Sequence, residues 1–157
     1  MSEKTPPPKL KPKRILLVCT GNTCRSPMAQ AILKHIIKQN GRDKSFSVGS
    51  AGLTVRVGTP MMPEARAALR FMHVTPHAHK ARPLTEALAR SADLIVTMTA
   101  RQKLFIPGVK TFSIAELTDG RDVRDPYGCG EEVYRETARA LYDKMLFLFQ
   151  TVLLPQN

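Results

Sequence analysis

The stretch Ile15-Leu16-Leu17-Val18-Cys19-Thr20-Gly21-Asn22-Thr23-Cys24-Arg25-Ser26-Pro27 holds an architectural unit and a chemical one together. Residues 15–19 form a short, wholly apolar run, the pattern of a strand covered on both faces. A polar loop follows, and Ser26-Pro27 then reads as a helix start, with serine as N-cap and proline at the first helical position. Ala29, Ile32, Leu33, Ile36 and Ile37 keep to one face while Lys34, Lys38 and Gln39 fall elsewhere, so the helix is expected to end near Asn40-Gly41. Strand, loop and helix in that order open a parallel α/β fold.

Outward from this unit the alternation continues. Phe46-Ser47-Val48-Gly49 reads as a modest second strand running into Ser50-Ala51-Gly52. Pro63 starts a short helix through Ala65, Ala68 and Leu69, and Thr85–Arg90 is another, with Leu88 buried. Leu94-Ile95-Val96 is the clearest third strand and Thr111-Phe112-Ser113-Ile114 a weaker fourth. The last helix is expected over Glu131–Phe149, with Val133, Thr137, Leu141, Met145 and Leu148 as its apolar stripe and two glutamates in its first turn. These elements predict one small parallel sheet with helices on both faces, and ligands in such sheets gather beyond the carboxyl ends of the strands. The Cys19 loop lies at that edge.

Composition narrows the rest. A chain of 157 residues with 43% apolar side chains has interior enough for one domain. No apolar run approaches the ~20 residues of a membrane helix, and Met1–Pro8 has no apolar stretch of an export signal. Three cysteines make no even disulfide framework, which points to a reducing cytoplasm. The net charge is +11, of which residues 1–14 carry +4. With three consecutive prolines, residues 1–13 read as a flexible basic extension and 14–152 as the folded domain. A positive field favours phosphorylated or acidic partners. The bases are dispersed with no dense stripe, so a solvated surface is expected and nucleic acid is not.

The loop from Cys19 to Arg25 carries the chemistry. Its successive backbone N–H groups can converge on a tetrahedral oxyanion, and the helix start adds partial positive charge. The same field would stabilise a thiolate at Cys19. Arg25 offers a planar fork for two phosphate oxygens, and Gly21 lets the backbone approach closely or adopt positive φ. The nucleotide-binding patterns Gly-x-x-x-x-Gly-Lys-Ser/Thr and Gly-x-Gly-x-x-Gly are absent. What remains is a phosphate cradle with its own nucleophile. His35, His73, His77 and His79 lack a convincing ligand set and are expected to face solvent; no metal or cofactor is expected.

Read with its neighbours as Val18-Cys19-Thr20-Gly21-Asn22-Thr23-Cys24-Arg25-Ser26-Pro27-Met28-Ala29, the loop resembles the signature of low-molecular-weight protein tyrosine phosphatases. Ser50-Ala51-Gly52, Pro83-Leu84-Thr85, Ala92–Met98 and Asp125-Pro126-Tyr127-Gly128 follow in the family's order, so the resemblance covers residues 14–149. It implies a four-stranded sheet in the order 2-1-3-4. It also implies Cys19 as nucleophile, Arg25 as phosphoryl clamp and Asp125 as general acid. Thr20, Gly21, Asn22, Thr23 and Cys24 would line the bound phosphoryl group and Tyr127 a cleft wall, with Asn22, Ser26 and Ser50 holding the loop in shape. Asp119 and Asp122 rank below Asp125 because they lack the adjoining Pro-Tyr-Gly. Cys24 would pair reversibly with Cys19 on oxidation, and the reach of Cys129 is open.

Four activities are weighed. Phosphotyrosine hydrolysis in a protein or peptide is the family-level expectation. Phosphoarginine hydrolysis stands close to it, because Cys-Thr-Gly-Asn-Thr-Cys-Arg-Ser resembles the bacterial protein-arginine phosphatase branch, whereas Tyr127 resembles the tyrosine-directed cleft. A thiol-dependent arsenate reductase would need a mid-chain cysteine pair, and none stands between Cys24 and Cys129. A noncatalytic phosphopeptide-binding module would not need both Cys19 and Asp125. A monomer is expected.

Overall fold

The computed structural model describes residues 11–154. Four parallel strands, β1 (Arg14–Cys19), β2 (Ser47–Gly52), β3 (Leu94–Thr97) and β4 (Thr111–Ser113), lie in the order β2-β1-β3-β4. The helices are α1 (Arg25–Gln39), α2 (Pro63–Phe71), α3 (Glu86–Ser91), α4 (Ala100–Lys103), α5 (Ile114–Leu117) and α6 (Glu131–Leu148), the last running into a π-helical turn at Phe149–Leu153. The central strand β1 pairs on both sides, which explains why five of its six residues are buried.

The pleat of β1 separates two apolar layers. Ile15, Leu17 and Cys19 face the larger, with Ile32, Ile36, Leu69, Leu141, Met145 and Phe149 from α1, α2, α6 and the final turn. Leu16 and Val18 face a smaller one with Ile95, Ala51, Ala92 and Ile106. Burying a large aliphatic side chain contributes about 1.5–3 kcal/mol, so the first layer carries most of the stabilisation.

Several expectations shift in detail. Strand β1 starts at Arg14 because Asp93 accepts the Lys13 and Arg14 N–H groups, both at 2.9 Å. These bonds hold the Asp93 carboxyl below its ordinary range. Of the expected N-terminal extension, residues 1–10 lie outside the described residues; Pro12 is buried and the Lys13 carbonyl accepts Ser47 N–H. Ile114 belongs to α5 and not to β4, because Ser113 and Glu116 close a capping box there. Leu88 is half-buried, since α3 packs only on the smaller layer. In α6 the inward position at the first turn is Tyr134; Val133 is half-buried. The one-residue change follows from where Gly130 caps the helix.

Candidate active site

Where β1 ends, the chain turns under its own side chains. Asn22 has φ 58°, so the left-handed residue is Asn22 and not Gly21. Asparagine tolerates that region when its amide is held locally. Here Asn22 Nδ2 donates to Ser26 Oγ (2.8 Å) and Ser50 Oγ (3.0 Å), while its Oδ1 accepts Arg82 N–H (3.0 Å). Ser50 Oγ donates in turn to Gln30 Oε1 at 2.7 Å.

This network corrects the role expected of Ser26. Helix α1 begins at Arg25, with Cys24 at the cap position and no side-chain cap bond. Ser26 Oγ, which accepts from Asn22, also lies 2.9 Å from Cys19 Sγ and can give its own proton to that sulfur. The Asn22 N–H also donates to that sulfur, at 3.3 Å. The Ser26 hydroxyl and the Asn22 N–H thus both meet a sulfur buried at the strand end. The first-turn N–H groups of α1 have no intrahelical acceptors and face the same loop.

Gly52 lets β2 press against the loop. A Cβ at that position would sit 2.4 Å from Val55 Cγ2 and 2.8 Å from the Thr20 carbonyl oxygen. The Leu53 and Thr54 N–H groups then donate to the carbonyls of Cys19 (3.1 Å) and Thr20 (2.9 Å).

Arg25 lies in the mouth of the loop, buried by all but a few per cent of its surface. Its Nη1 donates to the Val123 carbonyl at 3.1 Å, and Nη2 lies 3.6 Å from Asp125 Oδ2. Asp125 also accepts the Tyr127 N–H at 3.1 Å. The three nearby carboxylates are thereby separated in role. Asp119 pairs with buried Lys144, Asp122 accepts the Ala100 N–H at 2.9 Å, and Asp125 alone of the three pairs with Arg25. Tyr127 is 68% exposed and does not line the cavity described below.

Two contacts were not legible in the sequence. His79 is buried, against the expectation of a solvent-facing ring, and its Nε2 donates to the Asn22 carbonyl at 2.7 Å. With that proton placed on Nε2, His79 Nδ1 must accept, so His77 Nε2 donates to it at 3.1 Å. Half-buried His77 departs from the same expectation. Burial lowers both rings below their ordinary range, His77 to about 4. The second contact is Gln102 Nε2 to Thr20 Oγ1, at 3.1 Å. The signal available for it was Thr99-x-x-Gln102, a capping-box spacing.

Cys19, Cys24 and Cys129 are free thiols. Cys24 is buried 3.6 Å from Tyr134 Oη, and desolvation pushes its thiol upward. Cys129 is half-buried beside the Tyr127 carbonyl. Among the described residues no cluster of three or more His, Cys, Asp or Glu is placed to hold a metal, and no helix is long and apolar enough to cross a membrane. Beside the loop opens a cavity of about 590 Å³, lined by Thr20, Arg25, Leu53, Gln102, Phe105 and their neighbours.

The comparisons agree with this geometry. The chain is 39% identical over 131 residues to a protein-arginine-phosphatase of Bacillus subtilis, covering 78% of this chain and 85% of that protein. It is 38% identical over 120 residues to EpsP of Ralstonia nicotianae, a probable low molecular weight protein-tyrosine-phosphatase, covering 73% and 79%. A solved YwlE arginine phosphatase mutant with a phosphorylated active-site serine superposes with a TM-score of 0.81 at 36% identity, covering 87% of this chain and 93% of that one. The model of the low molecular weight phosphotyrosine protein phosphatases matches residues 14–154. With its buried cysteine, its arginine at the helix start and that match across the sheet, the chain belongs to this family and is a cysteine-dependent protein phosphatase.

Proposed function

We propose that the chain hydrolyses phosphotyrosine in proteins through a phosphocysteine at Cys19. One observation carries this reading: the sulfur bonded to the Ser26 hydroxyl and the Asn22 N–H lies at the base of a loop whose mouth holds the Arg25–Asp125 pair. Cys19 Sγ forms the S–P bond as the bond from phosphorus to the leaving oxygen breaks. Arg25 and the loop N–H groups, from Thr20 to Cys24, stabilise charge on the equatorial oxygens. Asp125 gives its proton to the leaving group, then takes one from the water that attacks phosphorus and releases phosphate. Asn22, Ser26 and Ser50 hold the loop in this shape. Tyr127, on the exposed side of the mouth, closes over the ring of the substrate.

A second reading, phosphoarginine hydrolysis, is favoured by Thr20. Its hydroxyl adjoins the nucleophile and is bonded to Gln102, so the wall beside the phosphoryl site is polar. Relatives named for arginine and for tyrosine both support their respective readings. Catalytic efficiencies on phosphotyrosine and phosphoarginine peptides, for the wild type and Thr20→Ile, decide between them. The tyrosine reading expects native preference for phosphotyrosine, retained in Thr20→Ile. Native preference for phosphoarginine, shifted toward phosphotyrosine by Thr20→Ile, would replace it.

The same reading places the enzyme in a reducing cytoplasm, as a monomer with residues 14–152 as its phosphatase domain. The three free thiols support that placement. Under mild peroxide Cys19 and Cys24 pair reversibly, which nonreducing peptide mapping would show; a Cys19–Cys129 linkage would count against it.

A further inference from the structure

We propose that Gln102 is a positioning residue for substrate discrimination, acting through Thr20; this rests on the phosphatase reading above. Gln102 is buried, and its Oε1 accepts two backbone N–H groups, from Met98 and Thr99, each at 3.0 Å. A flipped amide would set an NH₂ against two donors, so the orientation is determined by the backbone. Nε2 therefore faces Thr20 Oγ1 and can only donate to it.

Thr20 must accept that bond. Its hydroxyl proton and remaining lone pair are then turned away from the protein interior. Thr20, Gln102 and Arg25 border the same cavity, with Leu53 and Phe105 forming its apolar side. A leaving group that extends from the Cys19 loop toward this cavity meets a threonine whose proton has no inward partner. A phenyl ring laid over it leaves a covered, unpaired O–H, which costs binding of the transition state. A guanidinium group donates to the free lone pair and leaves the proton accessible to water. Without Gln102 the hydroxyl is free to rotate, and this discrimination weakens.

The test is a double-mutant cycle read as the ratio of kcat/KM on phosphoarginine and phosphotyrosine peptides. Gln102→Met is expected to lower the ratio about threefold to tenfold, the scale of one hydrogen bond. In a Thr20→Val background, the same substitution should change it less than about twofold. A merely structural role would move the ratio equally in both backgrounds, and that result, or no shift in the wild type, overturns the proposal. Gln102→Glu retains the acceptor for the Met98 and Thr99 N–H groups but not the donor to Thr20. It carries the same cycle if the methionine variant does not fold, with a coupling to Thr20 again expected and its absence again decisive. Wild-type enzyme inactive on both peptides would overturn the phosphatase reading and this one together. Active enzyme with uncoupled substitutions removes this one alone.

Discussion

The two loops that meet at Arg25 are built on opposite principles. On the Cys19 side, Asn22 and Ser26 are fully buried and both ends of the Asn22 amide have partners within the protein. On the Asp125 side, the carboxylate is 54% exposed and Tyr127 is more so. That loop is anchored through Val123, whose N–H reaches Met98 and whose carbonyl reaches Arg25, and through Asp119 and Asp122. Beyond Val123 it is held lightly. A phosphoryl site gains most from donors fixed before the substrate arrives, because no reorganisation then opposes charge development. A proton donor must instead meet a leaving group, release it and turn to water. Fixed dipoles and a lightly held acid suit those two tasks.

The largest effect that can break this contrast is at the nucleophile. Cys19→Ser should lower turnover of an aryl phosphate by at least ~10⁴. It should leave phosphate affinity by calorimetry within about threefold of wild type, because the donors remain. Retained turnover would remove Cys19 from the mechanism; lost affinity would show that the loop depends on the sulfur for its shape.

On the exposed side, Asp125→Asn should cost on the order of 10²–10⁴ in kcat with a poor leaving group. A phenol of low pKa needs less protonation, so its loss should be smaller. Equal losses with both leaving groups would make Asp125 a turn residue. The Tyr127 N–H bond to its carboxylate is the contact that would then explain it.

Asn22→Ala probes the rigid side through stability. It removes an amide that satisfies Ser26, Ser50 and the Arg82 N–H, all at buried or part-buried positions. The expected cost is about 2–4 kcal/mol, as for a broken buried network. Urea unfolding measures it, and phosphate affinity should fall with it. A cost within ~0.5 kcal/mol would mean that the loop keeps its shape without the asparagine.

The same contrast explains what could be read in advance. Strand β1, the loop and α1 are contiguous, and their apolar pattern and end residues are local signals; the order 2-1-3-4 came with the family resemblance and matches the observed sheet. Asp125 was singled out through its adjoining Pro126-Tyr127-Gly128, and its carboxylate lies 3.6 Å from Arg25. His79 was not, because its bond to the Asn22 carbonyl spans 57 positions and no local pattern distinguishes it from a surface histidine. Ser26 misled for a physical reason. A serine at a helix start can cap the backbone or bond a neighbour's side chain, and Asn22 claims it here. The four-residue helices α4 and α5 escaped because they are too short to show a period, although each carries a capping box.

The smallest expected effect concerns the histidine pair beneath the rigid loop. Protonating His79 would turn Nδ1 into a donor facing the His77 N–H and disrupt the relay to Asn22. Both rings are held neutral, with His77 lowered from its ordinary 6.5 to about 4, chiefly by burial. Between those values the unfolded chain binds more protons than the folded one, so stability rises with pH across the interval. The contribution is complete above about pH 6.5 and is lost as pH falls toward 4. Carboxylates lowered in the fold, such as Asp93, Asp119 and Glu116, have unfolded values of 3.8–4.5 and lose their contribution below that. The interval from about pH 4.5 to 6.5 therefore belongs largely to the histidines. Urea midpoints at pH 5 and 7 should differ in the wild type, and His77→Gln, which keeps a donor toward His79, should reduce that difference. An unchanged pH slope in the variant would mean that His77 titrates alike folded and unfolded, and that the support beneath Asn22 is insensitive to its charge.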